Sequence, residues 1–157
     1  MEYWKFLRKH LGNERIIMPS SLGAIFNDAE EILLVYHKDL KQWGLPGGLQ
    51  NLEESIDETV RREIFEELNL QLGVEKLIGV YSSPQWHHAF SNGDRVQNLS
   101  FLFKMNNFHS SMELILQEDE IESFSFFNLK DLPSDCSPLT RQQCEDLANF
   151  DEQVYIR

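Results

Sequence analysis

Cysteine is nearly absent from this 157-residue chain, with Cys136 and Cys144 its only two. Seven residues separate them in a polar C-terminal segment, which provides neither a disulfide framework nor the spacing of a zinc site. A reducing cytoplasm is the expected location. Positive charge is scarce as well, since 14 Lys and Arg face 26 Asp and Glu for a net charge of −12. A surface of that sign repels phosphate backbones and anionic lipid headgroups, so long nucleic acid and membranes are not expected partners. A small anionic substrate stays compatible with it, because a divalent cation inverts the local potential. Long uncharged apolar runs are lacking too. Residues 1–12 mix Trp4, Phe6 and Leu7 with Lys5, Arg8 and Lys9, a pattern of neither a signal peptide nor a membrane span. No internal repeat, low-complexity stretch or linker is present. With 41% hydrophobic residues, the chain has the composition of one folded domain over 1–157.

Tyr3, Trp4, Leu7 and Leu11 recur at helical spacing before Gly12, which predicts a short amphipathic helix at about 2–11. Its apolar side is expected to pack on the body of the protein or on a partner, and a homodimer is the simplest partner. Apolar runs at Ile16 to Met18, Leu22 to Phe26 and Ile32 to Tyr36 predict strands, the last two joined as a hairpin through Asn27-Asp28-Ala29-Glu30. A loop containing Trp43-Gly44-Leu45-Pro46-Gly47-Gly48 leads to a helix over Ser55 to Leu68, where Ile56, Val60, Ile64 and Leu68 repeat every fourth residue. Strands are expected at Lys76 to Tyr81, Val96 to Lys104, Met112 to Leu116 and Ile121 to Phe127, and a closing helix at Pro138 to Phe150. The stretch between the first two of these strands, with Pro84, Trp86, His87 and His88 and the turn Ser91-Asn92-Gly93-Asp94, reads as a long loop. Strands around a central helix, with helices at both ends, predict a mixed sheet covered on both faces.

The central helix holds the chemistry. With Ile56 at zero, Val60, Ile64 and Leu68 lie at about 40°, 80° and 120°, while Glu63 and Glu67 fall at about −20° and 20° and Glu66 near −80°. Two carboxylates therefore border the buried stripe, and the third lies beside them. Like charges four residues apart weaken a helix by ~0.2–0.5 kcal/mol even in water, and burial sharpens the repulsion. A cation relieves it, and a set of oxygen ligands without thiolate suits Mg²⁺ or Mn²⁺ together with a phosphate. Gly47 and Gly48 allow close backbone approach. Arg62 is four residues from both Glu58 and Glu66 and can pair with either. Asn69, after Leu68, suits a left-handed helix end.

Gly48, five residues, Glu54, seven residues, and then Arg62-Glu63-Ile64-Phe65-Glu66-Glu67-Leu68-Asn69-Leu70 together resemble the Nudix box over its 23 residues, with Asn69 standing where the family has Gly. Looser similarity extends to Leu45-Pro46-Gly47-Gly48, to the surrounding strands, and to Glu120 through Phe127 with Leu129-Lys130-Asp131-Leu132-Pro133 behind it. The resemblance implies a Nudix-like α/β/α sandwich with a mixed β-sheet, and hydrolysis of a nucleoside diphosphate linked to another moiety, dependent on Mg²⁺ or Mn²⁺. It implies Glu63, Glu66 and Glu67 as metal-binding carboxylates, Gly47 as a carbonyl donor, and Arg62 with Glu54 as the pair that orients them. Glu63 and Glu120 are both candidates for the general base. Nucleotide sugars, ADP-ribose, dinucleoside polyphosphates and oxidised nucleotides all stay open as substrates.

Each candidate has a plainer alternative. The glutamates could be a solvated acidic face, although their place beside the apolar stripe opposes that. Trp86 could stack on a base or simply pack, and Arg95 could meet a substrate phosphate or belong to the turn beside Gly93. Two rival functions compete with the hydrolase, a Nudix-fold ligand sensor without catalysis and an acidic structural domain that assembles through its N-terminal helix.

Overall fold

The computed structural model describes residues 2–117 and 119–157. Its elements in chain order are α1 (Tyr3–Leu11), β1 (Ile16–Ala24), β2 (Ile32–His37), β3 (Gln42–Gly44), β4 (Gly47–Leu49), α2 (Ile56–Leu68), β5 (Val74–Tyr81), β6 (His87–Ala89), β7 (Arg95–Met105), β8 (Ile121–Phe127), α3 (Pro138–Ala148) and β9 (Tyr155–Ile156). A mixed sheet runs in the order β4-β1-β7-β5-β9, with β6 also paired to β7, and a second antiparallel sheet runs β3-β2-β8. β1 with β7 and β5 with β9 are the parallel pairs of the mixed sheet. α2 and α3 cover opposite faces, so the architecture is the α/β/α sandwich expected from the resemblance.

Residues adjacent in β2 face opposite ways. Leu33 and Val35 join Val60, Ile64 and Leu68 of α2 in one core cluster, while Ile32 and Leu34 join Cys144 of α3 in the other. Both faces of the strand are therefore buried, which is why its sequence is an unbroken apolar run. The two cysteines are buried and unpaired.

The turn after β1 forms as the sequence suggests, with Asn27 Oδ1 accepting from the N–H groups of Ala29 and Glu31. Its arms do not continue as one hairpin. After Leu33 N–H bonds to Ile25, β1 pairs with β4 and β7 while β2 pairs with β3 and β8 in the other sheet.

Three other expectations change. Met112 to Leu116 is not a strand. Met112, Leu114 and Leu116 do face the first cluster, which explains the alternating pattern. The segment's backbone, however, bonds to a helix end, with Ile115 N–H on Leu68 O at 3.0 Å and Gln117 N–H on Glu67 O at 2.9 Å. Those carbonyls close α2 and need donors. The stretch read as a long loop contains β6, which forms a hairpin with the start of β7 through the Phe90 to Asp94 turn. The closing helix ends at Ala148 rather than Phe150, and β9 follows it.

Candidate active site

α2 starts at a capping box. The Ser55 hydroxyl accepts from Glu58 N–H, and the Glu58 carboxylate accepts from Ser55 N–H at 2.8 Å. This occupies Glu58, which Arg62 therefore does not contact. The other end closes on Asn69 at φ 57° and ψ 25°, the left-handed conformation that Asn tolerates. Between these caps, the glutamates lie as the helical angles require. Glu67 is 4% exposed, Glu63 is largely buried and Glu66 is half exposed.

The β3–β4 loop meets this face. Gly47 donates its N–H to Glu67 Oε2 at 2.9 Å. Its φ of 139° and a clash of any Cβ with Ser21 O, 2.2 Å away, exclude a side chain there. At Gly48 a Cβ would stand 2.5 Å from the Glu63 carboxyl, so the missing side chain is the space into which that carboxyl fits. Arg62 ties the group together. Its Nε lies 3.2 Å from both Glu54 oxygens, and its Nη1 reaches Glu63 at 2.7 Å and Glu66 at 3.1 Å. Nη2 contacts Glu54 and donates to the Leu49 carbonyl at 3.0 Å. One rigid guanidinium thus spans three carboxylates.

Electrostatics follow from this placement. Burial pushes the Glu63 carboxyl up to about 7, against the hydrogen bond and charge of Arg62 and with help from Glu66 and Glu120. Burial pushes Glu67 well above the usual carboxylate range, opposed by the Gly47 N–H and reinforced by Glu63, Glu120 and Glu66. Glu54 goes the other way. Desolvation raises it, but bonds from Arg62, Thr59 and Asn51 N–H together hold it below the ordinary value. Arg62 stays charged, because its bonds to Glu54 and Glu63 outweigh the cost of its burial.

Glu120 is exposed in the turn before β8, yet its charge acts on both Glu63 and Glu67. The turn is held there by Lys38 N–H on Glu120 O at 3.1 Å, and the segment before it by the Gln117 bond to Glu67. Glu54, Arg62, Glu63, Glu66, Glu67, Gly47 and Glu120 are therefore brought together. Arg95 and Trp86 are not. Arg95 opens β7, with Nε on Asn13 O at 3.1 Å and Nη2 beside Glu14. Gly47 lies level with Leu22 and hence with Leu102, seven residues or about 23 Å along that strand. Trp86 packs on the second core cluster, the α3 side of the sheet, with its indole N–H buried and unpartnered. The sequence reading missed Ser55, whose signal is Ser followed three residues later by Glu, and Asn51, for which the sequence offers no signal.

Among the described residues, no three acidic, His or Cys side chains close around one point. Glu63 is drawn to Arg62, and Glu67 to the Gly47 N–H. The residues nevertheless fit a hard divalent ion. The donors are all oxygen, and two are desolvated and repel one another.

The model of the NUDIX domain family matches residues 18–148, and the chain belongs to that family. Among its relatives, a putative 8-oxo-dGTP diphosphatase of Bacillus subtilis is 40% identical over 62 residues, covering 40% of this chain and 42% of that protein. An ADP-ribose pyrophosphatase of Methanocaldococcus jannaschii is 31% identical over 116 residues, covering 72% and 63% respectively. The chain thus spans less than two thirds of the length of these relatives. A MutT NUDIX hydrolase from Burkholderia pseudomallei superposes with a TM-score of 0.62 at 28% identity, covering 84% of this chain and 98% of that one. A UDP-X diphosphatase reaches 0.67 at 21% identity over 99% and 74%, a likeness of fold alone.

Proposed function

We propose that this chain hydrolyses a diphosphate linkage in a small nucleoside diphosphate derivative, with Mg²⁺ or Mn²⁺ as cofactor. One observation carries the reading: Glu67 is buried beside the charges of Glu63, Glu66 and Glu120, an arrangement whose repulsion is relieved by a bound cation or, without one, by proton uptake. Glu63, Glu66 and Glu67, with the Gly47 carbonyl, would hold the ion. When bound, it supplies the positive charge that offsets the diphosphate and makes water at the site more acidic. Arg62, fixed by Glu54, orients Glu63 and Glu66. Glu63 or Glu120 accepts the proton of the water that attacks phosphorus in line with the leaving group.

The substrate classes in view are nucleotide sugars, ADP-ribose, dinucleoside polyphosphates and oxidised nucleotides, and two of the named relatives fall among them. The reading places the protein in a reducing cytoplasm, consistent with its two free thiols. No described helix is long and apolar enough to cross a membrane. It also includes a homodimer through α1, whose Phe6 and Leu11 are exposed and whose exposed Lys5 and Lys9 complement an otherwise acidic chain.

The test is to incubate the protein with UDP-glucose, ADP-ribose, diadenosine tetraphosphate and 8-oxo-dGTP, each with Mg²⁺ and with Mn²⁺, and to measure released phosphate products. Turnover of at least one compound, lost by orders of magnitude in Glu67→Gln with the fold intact, is expected. Silence across the panel would favour the ligand sensor, and an unimpaired Glu67→Gln would remove that residue from the mechanism.

A further inference from the structure

We infer that Asn51 is a positioning residue for the glutamate cluster, and that α1 acts on the cluster through it. This rests on the reading of Glu63, Glu66 and Glu67 as metal ligands. The path consists of hydrogen bonds between named atoms. Tyr3 N–H, the first free donor of α1, is accepted by Asn51 Oδ1 at 3.2 Å. Asn51 N–H is accepted by Glu54 Oε1 at 3.0 Å. Glu54 grips Arg62 through both its oxygens, and Arg62 donates to Glu63 and Glu66. Asn51 therefore stands between the start of α1 and the carboxylate that fixes the guanidinium, meeting α1 with its side-chain oxygen and Glu54 with its backbone N–H.

α1 depends on such contacts. None of its residues is buried, and a nine-residue helix is unstable by itself. Its far end is fastened by Arg8, which donates to the carbonyls of Gly12, Glu14 and Arg95 and lies beside Asp94. Its near end meets the loop that carries Glu54. Next to Asn51, Gln50 is tied on both sides, with its N–H on Pro19 O at 3.0 Å and its side chain on Glu54 O at 2.7 Å. Fixing Asn51 completes the anchoring of this loop. Once Asn51 is loosened, Glu54 releases Arg62, which settles on Glu63 and Glu66 and competes with a cation for their oxygens.

Tyr3 permits a selective test. It is the first helical residue of α1, after Glu2 in extended conformation at ψ 125°. Proline is well accepted at that position and after such a residue, so Tyr3→Pro deletes the N–H and keeps the helix. Tyr3→Ala loses the same ring and keeps the N–H, and is the reference for it. Mn²⁺ alone is titrated calorimetrically into wild type, Asn51→Ala, Tyr3→Ala, Tyr3→Pro, the Asn51→Ala/Tyr3→Pro double variant and Glu67→Gln, with circular dichroism to verify folding. Expected is a loss of Mn²⁺ affinity of about threefold to tenfold in Asn51→Ala relative to wild type and in Tyr3→Pro relative to Tyr3→Ala, the double variant being no weaker than the weaker single one. If Glu67→Gln weakens Mn²⁺ binding while Asn51→Ala and Tyr3→Pro do not, the relay is refuted and the metal site stands. Additive effects of the two substitutions refute it as well. Should Asn51→Ala fail to fold, the comparison of Tyr3→Pro with Tyr3→Ala decides alone. If wild type binds no Mn²⁺, or Glu67→Gln binds it equally well, the metal-site reading fails and takes the relay with it.

Discussion

Glu63→Gln should stabilise the metal-free protein, and only at the upper end of the pH range. Burial raises the Glu63 carboxyl from the ordinary 4.5 to about 7 in the folded chain. Between those values the folded state holds a proton that the unfolded chain has released, so stability falls as pH rises through this window. At ~1.4 kcal/mol per pH unit the full difference is about 3 kcal/mol. The side chain is 17% exposed, so solvent screening takes little of it. Gln reproduces the neutral form at every pH and still accepts from Arg62. Urea unfolding in EDTA should therefore give matching curves for wild type and variant at pH 4.5. At pH 8 the variant midpoint should lie about 1 M higher, for a denaturant slope of ~2–3 kcal/mol per molar. Saturating Mn²⁺ should close most of that gap, because an ion at a hundred times its dissociation constant adds about 2.7 kcal/mol to wild type and less to a variant that lacks one ligand. A variant no more stable than wild type at pH 8 without metal would refute the claim that this carboxylate is held at a cost.

Further outcomes follow from single contacts. Gly48→Ala places a Cβ 2.5 Å from the Glu63 carboxyl, and should displace that carboxyl and weaken Mn²⁺ binding at a folding cost of about 1–3 kcal/mol, read by calorimetry and urea unfolding. Trp86→Phe should leave catalytic turnover unchanged, since the indole packs on the α3 side; a large rise in KM in a steady-state assay would restore it as a substrate contact. Arg157→Ala removes the guanidinium that reaches the buried Asp146 at 2.6 Å, beside Tyr81 Oη at 2.9 Å. Because Arg157 is partly exposed, a lower urea midpoint is expected, by less than the loss of a fully enclosed pair would give. Light scattering on wild type and Phe6→Glu should give a dimer and a monomer respectively; a wild-type monomer at high concentration refutes association through α1.

What could be read in advance was whatever one segment decides for itself. The fourfold repeat of Ile56, Val60, Ile64 and Leu68 defines α2 and, by rotation alone, places Glu67 at the edge of the buried stripe; in the fold it is 4% exposed. The unbroken run of β2 and the bounds of β8 belong to the same kind of information. Segments whose partner comes from elsewhere misled. Met112 to Leu116 alternates as a strand does, because a sheet and a helix flank both ask a chain to bury every second side chain; only the donors needed by Glu67 and Leu68 carbonyls distinguish the two. Where Arg95 and Trp86 lie relative to the glutamates depends on strand register, which no local pattern states. Asn51 shows the limit most directly. Its two hydrogen bonds run to Glu54, three residues away, and to Tyr3, 48 residues away, and only the second makes it a link between α1 and the cluster. A box defined by spacing thus contains the groups proposed for the chemistry, whereas the contacts that hold those groups still are recruited from distant chain and become visible only once the fold has brought them together.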